Sequence, residues 1–188
     1  MTERDLGRWP VDDTHLVLRG IESTHEFPGL LQSVTYRSLT IFTAQHAQDV
    51  GISVDVSTSE PAKHPGAWDE VVETTVRPTG PQDVVLVSID RARPRGEQLL
   101  PANSGTYRLR VYQRGRIEPG PDGAHLYMAF WPAPPAPPRV LVGHSTVSEA
   151  RPHTTTQPDG TSPSGRDQRL VDDMTRRLID RARKRQGG

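Results

Sequence analysis

The sequence predicts an all-β fold, an antiparallel β-sandwich or partly open barrel, with a C-terminal amphipathic helix after a flexible linker. Three observations carry that expectation. Short apolar runs recur along residues 14–147, turn-forming residues separate them, and no helical period occurs before residue 165. A hydrophobic content of 33%, with 16 Gly and 18 Pro in 188 residues, suits one domain with loops and tails and argues against two filled cores.

Residues 1–13 are polar and read as an N-terminal arm; the β-sandwich domain is expected over 14–150. Thr14 to Leu18 reads as a short strand stopped by Gly20. Val34 to Thr43 is rich in β-branched and aromatic residues and reads as one strand. A second follows where Val50, Ile52, Val54 and Val56 alternate with Gly51, Ser53 and Asp55. Ser57 to Ala67 contains Pro61 and Pro65, which a central strand does not accept, and is a loop. Glu70 to Arg77 and Asp83 to Asp90 read as a hairpin around Pro78-Thr79-Gly80-Pro81, and Arg91 to Arg95 as an arginine-rich loop.

Past Ser104-Gly105, Tyr107, Leu109 and Val111 alternate with Arg108 and Arg110, which gives one core face and one basic face. The strand Ala124 to Trp131 carries large residues on both faces and is expected to be buried on both. Pro132 to Pro138 reads as an extended polyproline stretch, with one edge strand within Arg139 to Val147. Residues 151–165 have linker composition, and 166–186 read as a helix whose Leu170, Val171, Met174, Leu178 and Ala182 form one interface stripe. That stripe needs a cover, from the domain itself, a second copy in a homo-oligomer, or another partner.

Several kinds of chemistry lack their machinery. Zero cysteines removes disulfides, thiolate metal sites and cysteine nucleophiles. The seven histidines form neither an alternating pair on a strand nor an i, i+4 pair on a helix, so no metal site is expected. No glycine-flanked serine elbow, phosphate loop or dinucleotide fingerprint occurs, so neither catalytic residues nor cofactors are expected. No apolar run spans a membrane and the first residues do not read as a signal peptide, so a cytoplasmic protein is the default expectation. Only Lys63 and Lys184 of 23 basic residues are lysine, the usage of a GC-rich bacterial genome.

The net charge of zero is split. Residues 1–90 carry 14 acids against 6 bases, net −8, and residues 91–188 carry 9 acids against 17 bases, net +8. Arg91, Arg93, Arg95, Arg108, Arg110, Arg114 and Arg116 form a candidate anion-binding surface, or else pair with acids from the first half. Base-stacking aromatics are absent around the basic run Arg181 to Arg185, which disfavours sequence-specific nucleic-acid binding.

The order of segments resembles the competence-associated nuclease inhibitor family of bacteria. The resemblance runs from Ser33 to Phe42, through Gly51 to Val56 and Trp68 to Asp90, to the turn and strand Leu100-Pro-Ala-Asn-Ser-Gly-Thr-Tyr-Arg-Leu109. It covers residues 33–131 and has no counterpart for the tail. It implies a compact β-sandwich that binds and blocks a protein partner such as a nuclease or toxin. An inhibitor of a nucleic-acid enzyme presents acids in place of phosphates, and Asp49, Asp55, Glu60, Asp69 and Glu70 are the partner-binding candidates. The alternative is an oligomerising scaffold or nucleic-acid-associated protein that uses the 166–186 helix and the arginines.

Overall fold

The structure is a computed structural model that describes residues 3–11, 15–22, 31–35, 37–43, 49–79, 83–88, 95–101, 104–116 and 121–143. The strands of the first half are β1 (Glu3–Pro10), β2 (His15–Arg19), β3 (Ile21–Glu22), β4 (Leu31–Thr35), β5 (Ser38–Phe42) and β6 (Asp49–Val56). They are followed by β7 (Glu70–Pro78), β8 (Val84–Ser88), β9 (Arg95–Leu100), β10 (Tyr107–Arg114), β11 (Ala124–Pro132) and β12 (Arg139–Val142). All secondary structure in the described residues is β, as the alternating runs predict. The expected linker and the 166–186 helix, with Leu170, Val171, Met174, Leu178 and Ala182, lie outside the described residues.

Two sheets form. One has seven strands in the order β1-β6-β11-β10-β7-β12, with β3 also paired to β7; the other has five in the order β4-β5-β2-β8-β9. They share one apolar core, in which Ile52 and Val54 of β6, Leu109 and Val111 of β10 and Met128 and Phe130 of β11 cluster with Leu16, Leu18, Leu39, Ile41 and Leu86 from the five-stranded sheet. Each of these side chains is withdrawn from water, and at about 25 cal/mol per Å² of apolar surface this layer is the main favourable term in folding.

Five features differ from the sequence expectation. One is β9, a strand that begins at Arg95, where the sequence reads an arginine-rich loop, and continues through residues not read as a strand. The segment read as a polar arm contains β1, whose Trp9 is buried and whose residues pair antiparallel with β6. Its charges belong to a strand at the edge of a sheet, which composition alone reads as solvated chain. The run 34–43 is broken between Thr35 and Ser38, so that its two parts pair with each other as β4 and β5. β7 and β8 are not a hairpin: β7 pairs with β10, β12 and β3, β8 with β2 and β9, so their connection crosses between the sheets. Finally, β6 and β11 run parallel, with Val50 opposite Ala124, in a fold otherwise antiparallel among the described residues.

Another crossing between the sheets occurs at Gly20. Leu18 belongs to the five-stranded sheet and Ile21 to the seven-stranded one. The chain turns there with φ +78°, and a Cβ on Gly20 would lie 2.7 Å from the carbonyl oxygen of Asp83, so both the angle and the space require glycine.

Candidate interaction site

Successive side chains of a strand point to opposite faces, so the seven-stranded sheet has a second face turned away from the core. The pairing registers set Glu73, Arg110, Ala129 and Asp55 in one row across it, and Val71, Tyr112, Tyr127 and Ser53 in the next. Two segments cover this face: residues 57–69 and the proline-rich 132–138. The face is therefore a second, smaller core of Val71, Tyr112, Tyr127, Ala129 and Trp131, with Trp68 and Ala133 packed on its margin. β11 is thus buried on both sides, as its sequence predicts.

The aromatic half is held by the loop between β6 and β7. The backbone N–H of His64 donates to the Tyr112 hydroxyl at 3.2 Å, and the His64 ring lies 4.2 Å from that of Tyr127, centroid to centroid. Trp68 packs 5.3 Å from both His64 and Tyr112. Burial, with the nearby charges of Asp55 and Glu3, pushes the Tyr127 hydroxyl well above the usual phenol range. His125 lies across Gly51, where a Cβ would come 2.7 Å from its Nδ1, and its Nε2 is 3.4 Å from the Ser53 hydroxyl. Burial and then the Arg114 guanidinium lower the His125 pKa, which favours the neutral ring.

The ionic half is built around Glu73. Its Oε1 accepts from Nε and Nη2 of Arg108 at 3.1 and 2.7 Å, and its Oε2 accepts from Nε of Arg110 at 2.9 Å. Burial raises the Glu73 pKa, but the two guanidinium groups outweigh it and hold the carboxyl below the usual range. Arg110 also pairs with Glu60 of the covering loop and lies 4.8 Å over the Trp131 ring. Burial lowers its pKa, while hydrogen bonds to Tyr112, Glu60 and Glu73 raise it further, leaving it above the ordinary arginine value. Arg108 donates to the carbonyls of Ala136 and Pro137, and the Thr75 hydroxyl binds both N and O of Ala136. The proline-rich segment is thereby tied to the sheet.

Most arginines of the candidate anion surface are engaged by the protein itself. Arg108 and Arg110 are buried on Glu73, and Arg116 is buried on Glu70. Arg95 donates to the Arg8 carbonyl and covers Trp9, Arg114 lies over Trp68, and Arg91 and Arg93 are outside the described residues. The candidate acids do not form one surface either. Asp55 is fully buried, accepts from the Ser57 hydroxyl, and has no partner for Oδ1 among the described residues. Glu70 is buried, and Asp69 accepts from the backbone N–H groups of Gly115 and Arg116. Asp49 is half-buried at the start of β6, and Glu60 alone of the five is well exposed, with its side chain 63% accessible.

What the charge pattern did not reveal is β12. Val140, Leu141 and Val142 are exposed by 54%, 38% and 46%, three consecutive large apolar residues on the last strand of the seven-stranded sheet. The opposite edge differs. β1 carries Glu3, Arg4, Asp5 and Arg8, is bulged between Asp5 and Gly7, and is tied to β9 through Arg4, which reaches Glu97 and the carbonyl of Gln98. β9, an edge of the other sheet, carries Arg95, Glu97 and Gln98. Charges and bulges are the devices that keep a sheet edge from pairing with other chains, and β12 lacks charge after Arg139. The sequence places one edge strand within Arg139 to Val147, and β12 is a strand at the edge there; what alternation does not distinguish is an uncovered edge from a covered one.

No protein-family model and no curated protein matches the chain. Among solved structures the chain is similar to ComJ, inhibitor of the DNA-degrading activity of NucA from Bacillus subtilis, with a TM-score of 0.46 and 9% sequence identity over 71% of this chain and 100% of that one. No helix in the described residues is long and apolar enough to cross a membrane.

Proposed function

We propose that this chain is a small protein-binding module of the bacterial cytoplasm that blocks a partner protein such as a nuclease or a toxin, and that it does so without turnover or a cofactor. The observation that supports this reading is β12: an exposed apolar edge strand in a protein whose β1 and β9 edges carry charges. Exposed apolar patches and open sheet edges are ordinary marks of protein recognition. The inhibitory sense follows from the segment order and the Leu100 to Leu109 turn, which resemble the competence-associated nuclease inhibitors. Of the candidate acids, Glu60, the one that is well exposed, supplies electrostatic attraction to a basic partner.

The test is affinity capture from the source cell with the full-length protein, after nuclease treatment, followed by purification of the captured protein and reconstitution. A stoichiometric complex in which the partner's activity is lost is expected. Capture of nothing but the chain itself, or a complex whose partner remains fully active, would overturn the reading.

A further inference from the structure

The registers of β12 show what kind of segment its free side can accept. Arg139 is opposite Glu73 and Val142 opposite Val71, which puts both on the outer face of the sheet; Val140 is opposite Val72, on the core side, and the irregularity falls between Val140 and Val142. An added strand would place its own side chains beside these on the same faces. It would need an apolar residue next to Val140, to continue the core layer outward, and a group able to satisfy Arg139 on the other face. Arg139 is exposed and has no ion-pair partner among the described residues, because the carboxylate across from it, Glu73, is held by Arg108 and Arg110.

Resting on the protein-binding reading above, we propose that β12 receives an extended strand of the partner protein, one that alternates apolar residues and sets a carboxylate beside Arg139. Two features support this occupant over a second copy of the chain, and a third favours strand addition as such. Antiparallel pairing of β12 with itself about its centre would set Arg139 opposite Val142 and leave both arginines without an acid. Two strands of four residues also bury far less than the roughly 1,200 Å² of a stable interface, so a self-pair at this edge alone would form only near millimolar concentration, which a short peptide can reach in a titration and the protein at its working concentration does not. A partner that brings its own body beside the strand meets neither limit. Finally, β12 is preorganised: Thr75 and Arg108 fix Ala136 and Pro137 just before it, which reduces the ordering cost of adding a strand.

The probes are two fluorescein-labelled eight-residue peptides of alternating valine and threonine, one with a central glutamate and one with lysine at that place. They are titrated against the full-length chain, its Arg139→Glu variant and its Val140→Lys/Val142→Lys variant, with thermal melts to confirm that the exposed substitutions leave the fold intact. The glutamate peptide is expected to bind at least tenfold more tightly than the lysine peptide, Arg139→Glu to reverse that order, and the double lysine variant to weaken binding at least tenfold. Hydrogen exchange should slow at 139–142 on binding. The proposal is overturned if neither peptide binds at millimolar concentration, if binding survives the double lysine substitution, or if the chain sediments as a dimer that this substitution dissolves. The capture experiment separates the two levels. A partner held equally by the double lysine variant overturns strand addition and keeps the protein-binding reading, whereas no partner at all removes that reading.

Discussion

Replacing Glu73 by glutamine takes one negative charge from between two buried guanidinium groups while leaving the side chain's shape. In the native protein the carboxylate accepts from both arginines, one on each oxygen, and Arg108 and Arg110 are exposed by only 4% and 3%. Glutamine has one oxygen to offer and turns an amide donor toward the other guanidinium. Removing one member of a buried pair costs about 3–5 kcal/mol, since the charge left behind is neither solvated nor matched. Glu60→Gln is the internal control. It touches the same Arg110, but from a side chain 63% exposed, where an ion pair contributes about 0–1 kcal/mol. The assay is urea unfolding followed by tryptophan fluorescence. With a slope of about 2 kcal/mol per M, a loss of 4 kcal/mol lowers the midpoint by about 2 M, against less than about 0.5 M for Glu60→Gln. The native curve has a pH signature as well. Because Glu73 titrates below its unfolded value of 4.5, its contribution is complete above that pH and disappears as the pH falls through the folded value, and Glu73→Gln should flatten this acid limb. A loss under about 1 kcal/mol, or one equal to that of Glu60→Gln, would refute the assignment of Glu73 as the centre of the ionic half.

Other expectations are simpler. Gly20→Ala should destabilise by about 2–4 kcal/mol, combining a strained φ with a clash on the Asp83 carbonyl, whereas Gly105→Ala, at φ +88° with nothing within 4 Å of the new Cβ, should cost only the strain of about 1–2 kcal/mol; thermal melts of the two variants decide. Phe130→Ala, in the middle of the shared core, should cost about 3–5 kcal/mol in urea unfolding. His125 has a folded pKa below its unfolded 6.5, so the unfolded chain takes up protons first and stability falls as the pH drops from 6.5 toward the folded value. His125→Gln should remove that slope, which unfolding curves at pH 5 to 7 will read out.

The strands with clean alternation were legible because one side of each packs on a single core: Ile52 and Val54, Leu109 and Val111, and Met128 and Phe130 are all apolar at every second position. The sheet connections were not legible. Pro78 to Pro81 has the composition of a tight reversal, and nothing local states that β8 leaves for the other sheet. The parallel β6–β11 pair is a contact between segments more than seventy residues apart, outside the reach of any window. Arg108 and Arg110 read as a basic face, either open to anions or paired with acids of the first half, because alternation marks polar positions as outward without saying whether they are covered; in the structure they pair with Glu73 and Glu60. Here the outward face is covered by residues 57–69 and 132–138, and Glu73 on the neighbouring strand makes burial of two arginines tolerable. Asp55, in the same row of that covered face, is buried for the same reason, whereas Glu70 has the core-side register of Val72 and is buried with Arg116.

The parallel junction also constrains the order in which the protein can mature on the ribosome. Among the described residues β11 alone joins the β1–β6 ribbon to β10 and β7, so that ribbon emerges early and waits with one long edge open. Roughly seventy further residues must leave the exit tunnel before Ala124 can meet Val50. Until then β6 has an unpaired edge, and the core beside Ile52 and Val54 lacks Leu109, Val111, Met128 and Phe130. Pairings this distant in sequence form slowly, so synthesis rate and chaperone supply, rather than final stability, should govern how much of the protein reaches its folded form.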